Sequence, residues 1–212
     1  MPTFRQLEPI LQRIQRDERR WICEVIEHIE WTDPTPLAEI EASDGPGIYV
    51  MTLYRSRLKC YERLVDRGHV VYAGSSGTSL AIRMQRHATS VADIRNLDVA
   101  DVGVIAVGLP SGSASLAVER LLQDAYRPLW NQRFLLGFGS RYQGSTRATQ
   151  ATPPFNVLHP GRRSGSGACR LTRHEIVDSA VAHLESTTAQ VRRWRLDAVG
   201  APPQRAADTV TG

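Results

Sequence analysis

Two short β-rich segments, each tied to a glycine turn, constrain this chain more than any other feature in it. The turn Ser43-Asp-Gly-Pro-Gly47 leads into Ile48-Tyr-Val-Met-Thr-Leu-Tyr54, whose β-branched and aromatic residues predict a strand. His69-Val-Val-Tyr-Ala73 predicts a second strand, and Gly74-Ser-Ser-Gly-Thr78 follows as a turn whose hydroxyls suit a helix cap. The polar, basic stretch between them, residues 55–68, reads as a hairpin connection with room for a short helix.

The remaining periodicities supply what covers such a hairpin. Apolar residues Leu80, Met84, Ala88 and Val91 predict a helix over Ser79–Val91, and Asp101–Leu109 reads as a third strand. A helix over Ala114–Tyr126 carries an expected core stripe of Val118, Leu121, Leu122 and Ala125, and Pro128 stops it. Ahead of the strands, residues 4–29 read as a helical arm ended by Thr32-Asp-Pro-Thr-Pro36. Beyond Asn131 the chain turns Gly-, Ser- and Thr-rich, until Ile176, Ala180 and Leu184 mark a last helix over Arg173–Val191. The expectation is an α+β fold: a small three-stranded antiparallel sheet flanked by helices, with an N-terminal helical arm and a C-terminal extension. The divisions are an arm over 1–40, a core over 43–135, an irregular extension over 136–170, a helix over 171–200 and a disordered tail over 201–212.

Composition narrows the classes. The chain has 212 residues and no apolar run long enough to span a bilayer. Its first residues hold no apolar signal core, so an intracellular, cytoplasmic protein is expected. Cys23, Cys60 and Cys169 form no CxxC pair, which excludes a disulfide framework or a cysteine zinc site as organiser. Net charge is +4, and Lys59 is the sole lysine among 26 basic residues. Guanidinium suits bidentate phosphate and guanine contacts better than ammonium does, although a GC-rich genome explains the same bias. There is no HExxH and no Walker-type Gly-Lys-Ser/Thr. Gly137-Phe-Gly139 and Gly161-Arg-Arg-Ser-Gly165 lack the strand–loop–helix context of a phosphate loop. Ser75 and Ser76 read as caps.

Six residues are candidates to carry chemistry. Tyr49 and Tyr72 stand on the two strands, and antiparallel pairing lets both phenols reach one rim of the sheet. Two amphipathic aromatics on a half-buried face fit the same positions. Arg83 and His87 lie four apart on one helix face, a pair suited to holding an anion and moving a proton, or to a solvated surface. Glu119 stands beside a core stripe, where a lone carboxylate can hold a Mg²⁺ that keeps most of its waters, or can pair with Arg120 or Arg127. The Asn131 amide can donate to a phosphate oxygen or orient a tyrosine.

Taken in order, Gly47-Ile-Tyr49, Tyr72-Ala-Gly74, Arg83-x₃-His87, Glu119 and Asn131 in a β-β-α-β-α frame closely resemble the GIY-YIG nuclease superfamily. His87-Ala-Thr-Ser-Val91, Arg95-Asn-Leu-Asp-Val-Ala-Asp101, Tyr126-Arg-Pro-Leu-Trp-Asn131, Gly137-Phe-Gly139, Arg141-Tyr-Gln143 and Asn156-Val-Leu-His-Pro-Gly-Arg162 are similar to its branch of type II restriction endonucleases. That branch is associated with the GC-only site CCGCGG. The resemblance spans about Gly47 to Arg163. It implies a Mg²⁺-dependent homodimer that cuts both strands of a DNA palindrome, with a methyltransferase protecting host DNA. Tyr49 and Tyr72 then match the motif tyrosines, Arg83 the phosphate-binding arginine, Glu119 the metal ligand and Asn131 the supporting amide. His87 stands where many relatives outside the branch have tyrosine.

The chain departs from the wider pattern in two places. It reads Gly74-Ser75 where many members have Gly-Lys, and Ala73 where Ile or Val is usual. The missing lysine keeps a second class open, a DNA-binding module that retains the fold without cutting. A structure-selective repair or mobile-element nuclease is the third. Guanine-rich sites call for arginine forks, and Arg57, Arg63, Arg67, Arg141, Arg147, Arg162 and Arg163 lie in irregular segments that can supply them, or can serve as solvated loop charge or phosphate contacts.

Overall fold

The computed structural model describes residues 33–65, 69–139, 151–162 and 167–191, the last four as backbone, together with Arg13, Asp17 and Arg20, which are helical. The chain divides into two compact units, Met1–Glu30 with Gln190–Gly212, and Trp31–Ala189. The second unit carries every strand among the described residues. The expected arm over 4–29, Arg67, Arg141, Arg147, Arg163 and the tail over 201–212 lie outside the described residues, apart from the three helical positions named.

Among the described residues, four strands form one antiparallel sheet: β1 (Thr35–Pro36), β2 (Gly47–Leu53), β3 (Tyr72–Ser76) and β4 (Val102–Gly108), in the order β1-β4-β2-β3. The three expected strands are present, and the fourth is the two-residue β1. Its proline reads in the sequence only as the end of the arm. An outer strand tolerates it, because a missing N–H costs nothing on the side that faces no neighbour. A second difference is β3, which runs from Tyr72 to Ser76 and not from His69 to Ala73, so Gly74, Ser75 and Ser76 are strand and not turn. Its register against β2 sets Tyr49 opposite Gly74 and Met51 opposite Tyr72.

Every residue of β2 is buried, as befits a central strand covered on both faces. Alternation sends Tyr49, Met51 and Leu53 into one core with Tyr72, Met84, Trp130, Phe138 and Phe155. Ile48 and Val50 take the other face, where α3 (Gly112–Tyr126) packs on β2 and β3. Between β2 and β3 the connection holds a 3₁₀ turn at Lys59–Tyr61 and a single helical turn, α1 (Glu62–Val65). Helix α2 (Leu80–Ala92) starts where the Ser79 hydroxyl accepts the Ile82 N–H at 3.1 Å. The buried stripe of α3 is Ala114, Ser115, Val118, Leu122 and Tyr126, a strict four-residue repeat with Ser115 beside it. The expected stripe is therefore displaced: Leu121 is only half-buried and Ala125 is exposed.

The segment after Asn131 is more structured than an irregular extension. It contains β5 (Leu136–Gly139) and α4 (Pro154–Leu158), whose Phe138, Phe155 and Leu158 are buried. The final helix, α5 (Arg173–Val191), buries Ile176, Ala180 and Leu184 as the periodicity predicts. No helix among the described residues is long and apolar enough to cross a membrane.

Candidate active site

The two motif glycines explain how two tyrosines come to share one face. A side chain at Gly47 would start 2.3 Å from the Val107 carbonyl oxygen, because β2 and β4 approach closely there. At Gly74 a Cβ would lie 2.4 Å from the Tyr49 hydroxyl, since the Tyr49 ring crosses its register partner. Only glycine leaves room for that crossing. The rings of Tyr49 and Tyr72 then sit 6.0 Å apart.

Helix α2 brings its Arg83–His87 face onto these phenols, which settles the pair as part of a packed cluster and not a solvated surface. Arg83 Nε donates to the Tyr49 hydroxyl at 3.0 Å, and its Nη2 donates to the Gly139 carbonyl at 3.3 Å. The same hydroxyl lies 2.7 Å from His87 Nε2. His87 is only 2% exposed. Burial, reinforced by the charges of Arg83 and Arg162, pulls its pKa down to about 3, so the imidazole is neutral near pH 7. Burial also lifts the Tyr49 phenol well above its ordinary range, followed by the neighbouring Tyr72, and outweighs the pull of Arg83. Tyr72 is raised by burial as well, against the lowering effect of Arg83. Both resting side chains are phenols.

Glu119 is half-buried on α3, at the opposite face of β3 from the phenols. Ser75, one residue beyond Gly74 and therefore pointing the other way, donates its hydroxyl to Glu119 Oε2. Gln123, one turn along α3, donates to Oε1 at 2.8 Å and to the Ala73 carbonyl at 3.3 Å. These, and not Arg120 or Arg127, are its partners. Ser75 is thus not a cap; that role falls to Ser79, with Ser76 bracing the turn. Because β3 is the outermost strand, a single strand separates the carboxylate from the phenols. Its charge is felt at Tyr72.

Asn131 bonds the backbone of Ala73, the neighbour of Tyr72, and no tyrosine side chain among the described residues. Its Oδ1 accepts the Ala73 N–H at 2.9 Å and its Nδ2 donates to the Ala73 carbonyl at 3.0 Å. The amide thereby acts as a neighbouring strand for the free edge beside Tyr72, satisfying both backbone groups.

The described arginines divide. Arg57 is exposed in the connection after β2, and Arg63 pairs with Glu185 at 3.5 Å, both side chains well exposed. Arg162 donates to the Gly137 carbonyl at 3.2 Å and lies over the Phe155 ring. Sequence reasoning missed Ser75 and Gln123 as holders of Glu119, although the four-residue step from Glu119 to Gln123 was available as a signal. Gly137-Phe-Gly139 stands in the sequence only as part of the resemblance, which gives Phe138 and Gly139 no place in the site, because their contacts join distant segments.

A lone half-buried carboxylate suits a Mg²⁺ ion that retains its waters, since each Glu119 oxygen takes one donor and keeps lone-pair capacity. Among the described residues no three acidic, histidine or cysteine side chains gather, so a fully protein-ligated metal is not built there. No curated protein matches the chain. The sequence does match the family described as the Eco29kI GIY-YIG domain, over residues 42–187, which takes in every strand and helix of the site. On that match, two-thirds of the chain and all of the geometry above, the protein belongs to the Eco29kI family of GIY-YIG restriction-type nucleases.

Proposed function

We propose that this protein is a site-specific DNA endonuclease that requires Mg²⁺ and cuts both strands of a short GC-rich palindrome, with CCGCGG as the site. The observation that carries the reading is the cluster of Tyr49, Tyr72, Arg83 and neutral His87 on one face of the outer strand, with Glu119 on the other. A phosphodiester laid against that edge meets a guanidinium from one side and a carboxylate from the other.

Tyr72 assists Tyr49, and each of the other residues has its own task. Arg83 donates to Tyr49 and Gly139 and also interacts with the Tyr72 hydroxyl, and its remaining N–H groups serve phosphoryl oxygens as negative charge builds there. Glu119 would hold Mg²⁺, which supplies charge neutralisation at the scissile phosphate. Ser75 and Gln123 keep that carboxylate in place. Tyr49 serves as a relay and not as a resident phenolate, because burial keeps it protonated. In the tautomer with Nε2 bare, the phenol proton passes to His87 while the phenol oxygen takes one from water. The water oxygen bonds to phosphorus as the P–O3′ bond breaks, and the leaving 3′ oxygen takes its proton from solvent. Burial is the main cause of the depressed His87 pKa, and phosphate binding eases the smaller contribution from the Arg83 charge, which favours this transfer.

A homodimer matches the two-fold symmetry of a palindrome, and a methyltransferase of the same specificity would protect host DNA. Ser75 at the position of the usual lysine favours a second reading, a binding module without cleavage. Incubating a supercoiled plasmid bearing CCGCGG with the protein, with Mg²⁺ or with EDTA, separates the readings. Discrete fragments with ends at that sequence support the proposal. Retarded but intact DNA supports the binding module, and nicks confined to branched DNA support a structure-selective nuclease.

A further inference from the structure

The segment Gly137-Phe138-Gly139 touches three of the four residues in the phenol cluster. Phe138 stacks on the His87 ring, with centroids 4.9 Å apart and planes 16° from parallel. Its edge meets Tyr72 at 4.9 Å and 80°. Phe138 is itself packed against Trp130 at 4.7 Å and Phe155 at 5.2 Å. Gly139 adds a backbone contact, its carbonyl accepting Arg83 Nη2. Gly139 adopts φ +70°, and a Cβ there would lie 2.4 Å from the Tyr72 hydroxyl, so the close approach needs glycine twice over. The Gly137 carbonyl holds Arg162.

We infer that β5 is a positioning element of the proposed nuclease site: Phe138 fixes the plane of the His87 imidazole against the Tyr49 hydroxyl, and the Gly139 carbonyl fixes the Arg83 guanidinium. The inference rests on the function proposed above. Stacking restrains the imidazole about the axis that aims Nε2, and the same ring excludes water from it. The groups that bear on His87 are then Tyr49, Tyr72 and Arg83 from β2, β3 and α2, with the Arg162 charge beyond β5. Removing the Phe138 ring admits water, which relieves the largest cause of the depressed imidazole pKa and moves it back toward its ordinary 6.5. A protonated His87 cannot accept from Tyr49. The Phe138→Ala variant therefore gains an acid limb in its rate profile that the parent lacks.

The test is single-turnover cleavage of CCGCGG DNA with Mg²⁺ between about pH 5 and pH 8, beside DNA binding and His87 imidazole titration by NMR. Phe138→Ala is expected to lose about tenfold or more in the maximal single-turnover rate at neutral pH, because the imidazole is no longer aimed. Its half-saturating DNA or enzyme concentration is expected to stay within about threefold, and the new limb to appear near pH 6. Phe138→Leu, which keeps an apolar shield without the planar stack, is expected to fold and to lose rate while gaining less of the limb. Gly139→Ala is expected to lower kcat at every pH without adding a limb. A Phe138→Ala or Phe138→Leu enzyme with the parental rate, or with an equal loss at all pH values and an unmoved His87 titration, overturns the positioning role. If the parent protein cuts no DNA, the nuclease reading fails. The His87 titration still decides whether Phe138 governs the imidazole.

Discussion

The Tyr49 hydroxyl lies 2.7 Å from His87 Nε2 and 3.0 Å from Arg83 Nε, so one oxygen joins a neutral base to a fixed cation. If that pair forms a proton relay, Tyr49→Phe and His87→Ala disable the same step. Each is expected to lower kcat by about 10²–10⁴ while leaving DNA affinity nearly unchanged. The double variant is expected to be no slower than the worse single one. Single-turnover cleavage checks this, and additive losses would mean that the two act separately.

Arg83→Ala removes both the Tyr49 hydrogen bond and the charge offered to phosphate. A loss of about 2.7–4 kcal/mol of transition-state stabilisation is expected, as for a single preorganised donor. Arg83→Lys restores little, because an ammonium cannot bridge the Tyr49 hydroxyl and the Gly139 carbonyl from one rigid plane. A loss under about threefold in kcat/KM for Arg83→Ala contradicts the phosphate assignment.

Glu119→Ala is expected to abolish cutting while specific DNA binding, followed by gel retardation in Ca²⁺ or EDTA, remains. Ser75→Ala should act more mildly through the same carboxylate, raising the Mg²⁺ concentration needed for half-maximal rate. The hydroxyl positions Glu119 and does not replace it. Near-full activity in Glu119→Ala would remove it from the metal role.

Acid stability follows from two buried imidazoles. His87 and His159 both have pKa values held down to about 3 by burial, with Arg83 and Arg162 next for the first and Arg173 and Arg162 for the second. The unfolded chain takes up those protons near pH 6.5, and the folded chain does not until about pH 3. Stability is therefore intact above pH 6.5 and falls as the pH drops through that window. The slope is worth roughly 2 kcal/mol per histidine between about pH 6.5 and pH 5. Urea unfolding at the two pH values checks it. His159→Gln should flatten the slope while costing stability at pH 7, since His159 Nε2 meets the Tyr61 hydroxyl at 2.8 Å and Nδ1 meets Asn96 Oδ1 at 3.1 Å.

Gly74→Ala puts a methyl group 2.4 Å from the Tyr49 hydroxyl and 2.6 Å from its ring. Overpacking of about 1–3 kcal/mol is expected, with Tyr49 pushed off its hydrogen bonds. Thermal unfolding and cleavage should therefore fall together. A stable variant with intact cleavage would show that the ring does not need to cross this glycine.

Local pattern makes much of this molecule legible. The β-branched run after Gly47, the capping hydroxyls before α2 and the four-residue repeat in α5 act over a few residues, where propensity and periodicity speak directly. Arg83 and His87 fall on one face for the same reason. Pattern alone misplaces part of the stripe of α3, because Ala114 and Tyr126, which complete the four-residue repeat with Val118 and Leu122, owe their burial to packing that the local sequence does not display. The two-residue β1 offers too little sequence to read at all.

The sequence by itself determined which residues come in which order, Gly47-Ile-Tyr49, Tyr72-Ala-Gly74, Arg83, His87, Glu119 and Asn131, and the family that this order resembles. Which atoms meet was decided by the tertiary structure. It set Tyr49 on His87, Ser75 on Glu119, the Asn131 amide on Ala73 and Phe138 on the imidazole, across 38, 44, 58 and 51 residues respectively. Such pairings depend on which face a strand residue presents and on where a whole sheet edge lies. Chain packing settles those quantities, and no local window of sequence contains them.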